Sequence, residues 1–471
     1  MLSPHLVEEL QAAVGEEFVL TARAHRLAYC HDSWPLTMIR MLGGADLSLP
    51  DLVVLPSSTG QVAACVRIAS AHRIPLIPFG GGSGVCGGTT PPGGGIILDT
   101  KRMNRILELN EKSLLIRVQP GHIGLELETW LNRRGYTLGH FPQSIACSTA
   151  GGWVVTRASG QFSTKYGNIE DILLAVEAVL PGGEVVSTRH TGARSSTGPD
   201  LKQLFLGSEG TLGVITGLAF KINPLPAHRR LQSFLFPSFH QGLEAIRLFM
   251  REGARPAVAR LYDPLETARN FPAHQKTPED NMLLLLSEGS GRLVEAEGGL
   301  LEEVCAACGG VPAGSGPVTE WLHHRNVVKG LPEYLSKGFV VDTIEVAAIW
   351  DRVGDLYEKC LSALMGIPGI LVASGHSSHS YPHGTNIYIT FGGLPGQGKT
   401  AEQLYLESWR AVMEACLGVG GTICHHHGIG LVRMPWMRQE LGSSYRLLQL
   451  IKQAVDPRNI MNPGKLLEVA R

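Results

Sequence analysis

The densest cluster of chemistry-bearing residues in the chain is Cys424-His425-His426-His427-Gly428-Ile429-Gly430. Imidazole ligates metals and moves protons near neutral pH, because its unperturbed pKa is about 6.5. Three adjacent side chains cannot all face one ion on a regular element, so at most two would ligate. Packing gains nothing from three histidines ahead of Gly-Ile-Gly, which makes the triplet a candidate site. A second cluster, Cys305-Ala306-Ala307-Cys308, has CxxC spacing. It has no further ligands nearby and reads as helical, so it is assigned to packing rather than to zinc or redox work.

The third candidate is a loop, Pro78-Phe79-Gly80-Gly81-Gly82-Ser83-Gly84, within a stretch holding six glycines in residues 80–88. Gly82-Ser83-Gly84-Val85-Cys86-Gly87 satisfies GxGxxG. A Rossmann turn, however, must run directly into a helix that receives the pyrophosphate. Here Thr89-Thr90-Pro91-Pro92-Gly93-Gly94-Gly95 follows, which cannot be helical. Without Cβ atoms, successive peptide N–H groups can still curl into a nest around a phosphate. Each charge-assisted bond to such an anion contributes ~1.5–3 kcal/mol. A simple tight turn does not need so many glycines, and the loop is read as phosphate-binding.

Gly393-Leu394-Pro395-Gly396-Gln397-Gly398-Lys399-Thr400 matches the Walker A pattern, between a strand-like and a helix-like segment. The 71 residues after Thr400 hold no apolar strand ending in a magnesium-binding Asp. A P-loop NTPase is therefore a distant alternative, and a connecting loop the better reading.

The elements that must position these residues alternate along 471 positions, enough for two or three cores. Residues 1–49 read as a helical lead-in. In residues 50–226, strands at 52–55, 74–79, 95–99 and 113–118 alternate with helices ending near 72 and 134. Pro224 and Pro226 close this domain. In residues 227–454, helix-like segments (241–252, 351–364, 401–417) alternate with strand-like ones (282–287, 386–391). Residues 455–471 form a closing segment.

Charge is balanced, 41 Lys and Arg against 42 Asp and Glu, which argues against nucleic acid and for a small-molecule partner. No uncharged apolar run reaches the ~18–20 residues needed to span a bilayer. No signal peptide is visible, and the nine scattered cysteines read as reduced thiols, so a cytoplasmic location is expected.

Several segments in order carry a resemblance. They are residues 78–84, Pro142-Gln143-Ser144-Ile145-Ala146-Cys147-Ser148, Gly151-Gly152-Trp153 with Thr156-Arg157-Ala158-Ser159-Gly160, and Tyr166-Gly167-Asn168-Ile169-Glu170-Asp171. Ser196-Thr197-Gly198-Pro199-Asp200 and Gly207-Ser208-Glu209-Gly210-Thr211-Leu212-Gly213-Val214-Ile215-Thr216 complete the run. From about residue 50 onward the chain resembles the FAD-linked oxidases of the vanillyl-alcohol-oxidase type, in particular the alkyl-dihydroxyacetone-phosphate synthase branch. The resemblance implies an α+β fold: a two-subdomain FAD-binding domain of the vanillyl-alcohol-oxidase (PCMH) type plus an α+β substrate (cap) domain.

It also implies roles. Pro78, Gly80, Gly81, Gly82, Ser83 and Gly84 would cradle the FAD pyrophosphate. Pro142, Ser144, Ser148, Thr156, Arg157, Ala158 and Ser159 would line the flavin. Glu209, Gly210, Thr211, Gly213, Val214 and Ile215 would hold the adenine and ribose end or pack beside it. The glycine loop lacks the His that commonly attaches FAD covalently, and Cys86 reads as a small packed residue, so non-covalent FAD is expected. Tyr388, Arg260 and the triplet His425, His426 and His427 would be catalytic, with no metal. A lipid substrate, peripheral membrane contact and a homodimer are further expectations.

Two chemistries fit such a scaffold. In the synthase chemistry an acyl ester is exchanged for a fatty-alcohol ether through a flavin N5 adduct, with Tyr388 or a His it contacts as base. The alternative is a 2-hydroxy-acid (D-lactate or glycolate type) dehydrogenase or oxidase. Some of those hold a metal with a GHxxxxxxH motif and an EHG motif. Tyr381 and Tyr388 fall at those two His positions and His426 at the Glu, which removes both charge and ligands. Two departures count against the synthase. The tail Asn462-Pro463-Gly464-Lys465 is closer to the dehydrogenases. The arginine that binds substrate phosphate aligns near Leu331, with Arg325 or Lys329 as substitutes. A tyrosine base, with an ordinary pKa of about 10, is expected to need cations from the histidines and Arg260.

Overall fold

Leu52–Val54 is apolar at every position and forms a strand buried on both faces, as a central strand of a parallel pair requires. The computed structural model of the chain describes residues 2–188, 192–327 and 330–468. Leu52–Val54 runs parallel to Ile96–Asp99, which runs parallel to Leu76–Phe79, and Val19–Leu20 adds an antiparallel edge. The helix Thr59–Ala71 starts where Ser58 accepts a hydrogen bond from the Gln61 N–H. The helix Pro4–Val14 lays Leu6, Leu10 and Val14, an i, i+4, i+8 stripe, into the same core. Ile460 and Met461 join it, so both ends of the chain close this sheet. The lead-in is thus built into the first domain. Its last helix, Pro35–Leu42, places Leu36 and Ile39 in the core of the second domain.

A five-stranded antiparallel sheet follows, in the order Ile106–Asn110, Leu115–Val118, Val214–Lys221, Leu173–Val179, Val185–Ser187. Its first strand has exposed or half-buried side chains throughout, so the sequence carries little hydrophobic signal for it. The helices Gly124–Asn132 and Ala150–Thr156 contribute Leu127, Leu131, Trp153 and Val154 to its core.

The second domain is an eight-stranded antiparallel sheet. Its order is Val311–Pro312, His228–Phe236, Asn281–Gly289, Val258–Tyr262, Ile370–Ser377, Gly384–Gly393, Val340–Ile349, with Ser380–Tyr381 paired off this path. Side chains alternate across a strand. Ala259, Leu261, Ile344, Val346, Ile387 and Ile389 enter the core shared with the helices Phe239–Arg251, Gly291–Ala307, Val353–Met365 and Ala401–Gly418. Arg260, Glu345 and Tyr388 therefore project from the opposite face. Cys305 is packed in that core and Cys308 caps its helix. No helix among the described residues is long and apolar enough to cross a membrane.

The Walker-like segment has a plain structural use. Thr400 caps the helix Ala401–Gly418 by accepting from the Gln403 N–H at 3.1 Å, and Gln403 accepts from the Thr400 N–H at 2.8 Å. Lys399 is ion-paired with Glu407. The strand before it is antiparallel to both neighbours, whereas a P-loop domain needs a parallel sheet. Thr400→Ala is expected to destabilise the protein by about 1 kcal/mol, read as a lowered melting temperature. ATP should leave the melting temperature of the parent protein unchanged, and an ATP-induced rise would contradict the capping reading.

Candidate active site

The register of the large sheet lines up four polar side chains in one row. Tyr262 is opposite His376, His376 is opposite Tyr388, and Tyr388 is opposite Glu345. Directly opposed residues in neighbouring strands lie close enough for their side chains to touch. The His376 ring accordingly stacks on Tyr388, with centroids 4.6 Å apart and planes 9° apart, and on Tyr262 at 5.2 Å. Arg260, two residues before Tyr262 and so on the same face, has its Nη2 2.9 Å from His376 Nε2.

At the end of this row, Glu345 holds the histidine loop by its backbone. Its carboxylate accepts from the peptide N–H groups of His425, His426 (3.3 Å) and His427 (2.8 Å). Arg433 holds Glu345 in turn, with Nη2 3.2 Å from Oε1, and both side chains are completely buried. The guanidinium also donates to the carbonyls of Ile423, Gly428 and Glu345, so its donors are spread along the loop it braces. Burial opposes the charge on Glu345, but Arg433 and the histidine loop together outweigh it and keep the carboxyl well below the usual range. The far end of the loop is tied to the first domain, where the Glu209 carboxylate accepts from the N–H groups of Ile429 and Gly430.

Held this way, the histidines meet the tyrosines. Tyr388 Oη is 2.6 Å from His426 Nε2, the two Nδ1 atoms of His426 and His425 are 2.8 Å apart, and His425 Nε2 is 2.7 Å from Tyr381 Oη. Tyr381 also contacts Asn168, which accepts from Ser159 Oγ. Ser159 and Ser163 both lie within 3.0 Å of His379 Nδ1, whose ring stacks on His425. Ser159, in the segment expected to line the flavin, and the histidine triplet are thus joined by one hydrogen-bonded chain.

The electrostatics differ from the sequence expectation. Burial drives the pKa of His425 and His426 down to about 3 and that of His427 to about 4. Burial likewise raises the Tyr388 phenol, and Arg260 only partly offsets it. The triplet is neutral and supplies no cation to ionise Tyr388. Each neutral imidazole carries one proton, so the protons along Tyr388–His426–His425–Tyr381 must all be donated in the same direction.

The first domain fits an FAD dinucleotide. A Cβ on Gly80 would lie 2.3 Å from Thr149 Oγ1, and one on Gly81 2.0 Å from the Cys147 carbonyl, while Gly82 has φ +63°. Only glycines let residues 80 and 81 lie flush against residues 147–149, and a Cβ on Gly82 would meet the Phe79 ring at 2.7 Å. Pro78 packs under Gly210, and Ser33 Oγ reaches the Gly82 carbonyl beside Ser83 and Gly84. The hydroxyls of Thr89 and Thr90 and the Asn462 Oδ1 are buried without protein partners near this loop, as polar groups facing a bound cofactor would be. Asn462 Nδ2 donates to the Gly88 carbonyl and buried Lys465 to the Thr90 carbonyl.

Other expected cofactor residues have structural partners. Pro142 and Ser144 cap the turn into Ser148, whose Oγ accepts from the Trp153 indole at 2.8 Å. Thr156 donates to the Gly152 carbonyl, and Ala158 donates its N–H to Trp153. Arg157 has φ +51° and an ion pair with Glu170. Thr211 donates to the Ser208 carbonyl, Gly213 has φ +154°, and the side chains of Val214 and Ile215 are spent in the two cores of the domain. Cys86 is buried, accepts from Arg433 at 3.0 Å, and its thiol pKa is pushed up by burial.

Arg325 lies over Phe141 and Phe162 at about 5 Å and donates to Gln161. Arg325 and Arg260 both approach the Trp321 ring, at 5.9 and 5.4 Å. Leu331 begins a short helix, and Lys329 lies outside the described residues. Glu345, Arg433, His376 and His379 escaped the sequence reading. Alternation in Ile344-Glu345-Val346 was the one available signal, a lone acid between core positions.

The fold lowers the three histidine pKa values below the unfolded value of about 6.5. Their neutral state thus contributes stability that is present above that pH and is lost as pH falls toward 3–4. Histidine NMR signals from residues 425–427 are expected not to titrate between pH 5 and 8. A midpoint near 6.5 for any of them would contradict a neutral triplet.

Residues 50–189 match the FAD binding domain family, and residues 225–466 match the family described as FAD linked oxidases, C-terminal domain. An alkyldihydroxyacetonephosphate synthase of Trypanosoma brucei brucei is 30% identical over 98% of this chain and 80% of its own length. The glycolate oxidase subunit GlcD of Bacillus subtilis is 28% identical over 99% of this chain and 97% of its own. A solved structure of an alkyldihydroxyacetonephosphate synthase superposes with a TM-score of 0.80 at 26% identity, covering 99% of this chain and 85% of that one. The fold is the FAD-binding fold expected from the sequence, and the cofactor is FAD. This chain belongs to the FAD-linked oxidase family.

Proposed function

We propose that the protein is a redox-neutral, synthase-like enzyme that exchanges the acyl ester of an acyl-dihydroxyacetone-phosphate type substrate for a fatty-alcohol ether, using non-covalent FAD. The observation that carries this reading is the Tyr388–His426–His425–Tyr381 chain. Tyr381 and Tyr388 fall where some hydroxy-acid dehydrogenases keep metal-binding histidines, and His426 where they keep a glutamate. Here they are hydrogen-bonded to one another, and the described residues contain no group of three or more acidic, His or Cys side chains arranged to hold a metal. Burial of Cys86 against Arg433 favours a flavin held without a covalent bond.

FAD, when bound, would supply an electrophilic isoalloxazine ring beside which the acyl-for-alkoxy exchange could take place. The protein's own part is proton handling and charge. A neutral Tyr388 takes the substrate C1 proton on Oη as its own proton passes to His426 Nε2. His426 then hands its Nδ1 proton to His425, leaving the added charge on the imidazole farther from the substrate. Glu345, ionised behind the loop, offsets that charge. Reversal of the same steps returns the proton. Arg260 and Arg325 give the neighbouring wall a positive potential suited to an anionic substrate head. A hydroxy-acid dehydrogenase is the second reading, favoured by the dehydrogenase-like tail, whose Asn462 and Lys465 side chains contact the glycine-loop region.

Labelled fatty alcohol should be incorporated into acyl-dihydroxyacetone phosphate by the flavin-loaded protein, and no incorporation would contradict the proposal. Tyr388→Phe should lower kcat by roughly 10²- to 10⁴-fold with the flavin spectrum retained. Tyr381→Phe, which removes only the far end of the chain, should cost less.

A further inference from the structure

A guanidinium only donates, so the 2.9 Å contact between Arg260 Nη2 and His376 Nε2 requires a lone pair on Nε2. Neutral His376 must then carry its proton on Nδ1. That nitrogen has no other hydrogen-bond partner and faces Glu266 Oε2 at 3.5 Å. Glu266 is 1% exposed, on the helix Pro264–Asn270, and is anchored by Arg269 at 2.6 Å and by Ser374 Oγ at 3.1 Å. Burial works against its charge, but His376 and Arg269 hold the carboxyl well below the usual range. Arg260 has no carboxylate partner among the described residues. Its neighbours are Tyr262 Oη at 2.9 Å, His376 and the Trp321 ring.

We infer that Glu266 and His376 are a positioning pair that aims Arg260 and Tyr388 at the substrate, an extension that rests on the placement of Arg260 and Tyr388 in the active site. Glu266 fixes the His376 tautomer with Nδ1 protonated. The free Nε2 lone pair then seats the Arg260 guanidinium, leaving its charge unneutralised for an anionic substrate group, a phosphate or a carboxylate. The face of the same imidazole, 4.6 Å from the Tyr388 ring, sets the plane from which the Tyr388 hydroxyl reaches His426. In the opposite tautomer, Nε2–H would meet the guanidinium donor to donor and Arg260 would be displaced. The arrangement is a carboxylate–imidazole pair of the kind that fixes metal-bound histidines, used here to orient an arginine.

The test compares His376→Gln, whose amide oxygen can accept from Arg260, with His376→Leu, which cannot. Both are assayed on whichever anionic substrate the flavin-loaded protein turns over. His376→Leu should raise KM roughly 10- to 100-fold, the loss of a hydrogen bond to a charged group, and His376→Gln should recover most of that. Glu266→Gln should give an intermediate rise. Nitrogen-15 NMR of the flavin-loaded parent protein should show His376 protonated at Nδ1, its signal identified by its loss in His376→Gln. Equal KM in the Gln and Leu variants, or a parent protein protonated at Nε2, would overturn the inference. No effect of Glu266→Gln would remove Glu266 from the pair. The tautomer reading does not depend on which reaction is catalysed, so its failure is distinguishable from failure of the synthase reading.

Discussion

The site depends on one buried ion pair, Glu345 with Arg433. Both side chains are fully excluded from solvent, and between them they bond to the backbone of nearly every residue that turns the histidine loop. A buried pair of this kind adds little net stability over an apolar substitute, but losing one partner costs about 3–5 kcal/mol because the other charge is stranded. Its value here is conformational. Three consecutive histidines cannot be placed by side-chain packing, since their side chains diverge. Gripping their three peptide N–H groups with one carboxylate fixes the loop and leaves the imidazoles free to bond with the tyrosines.

From that anchor the rest of the site follows by sheet geometry. Antiparallel register carries a row from Glu345 through Tyr388 and His376 to Tyr262. Burial then does two things at once. It keeps the histidines neutral, and it keeps the tyrosines protonated, so the chain between Tyr388 and Tyr381 consists of neutral groups with matched donors and acceptors. A proton can enter such a chain at one end without any member being ionised beforehand. This differs from a tyrosine ionised by neighbouring cations, which dry surroundings disfavour.

Much of the cofactor domain was legible in the sequence because its constraints are local. Thr89-Thr90-Pro91-Pro92 excludes a Rossmann helix by itself, and glycines at 80 and 81 are demanded by contacts with residues 147 and 149. The triplet and Tyr388 were also visible, the first as an improbable cluster and the second through resemblance. What could not be read was register. Nothing local in Val340–Ile349 says that Glu345 sits opposite Tyr388, or that Arg433, about ninety residues further on, closes the pair. The charge state of the histidines was misread for the same reason, since burial is set by elements distant in sequence. The Walker-like motif shows the converse, a strong local pattern whose residues are explained by a helix cap.

On the proposed reading, this site moves protons on an FAD scaffold without net oxidation of a hydroxy acid. The most direct measurement is the visible spectrum of the flavin-loaded protein, recorded without oxygen before and after addition of D-lactate, glycolate or D-2-hydroxyglutarate. The oxidised flavin band near ~450 nm should persist with all three. Bleaching by any of them would contradict the redox-neutral account and establish the dehydrogenase reading in its place.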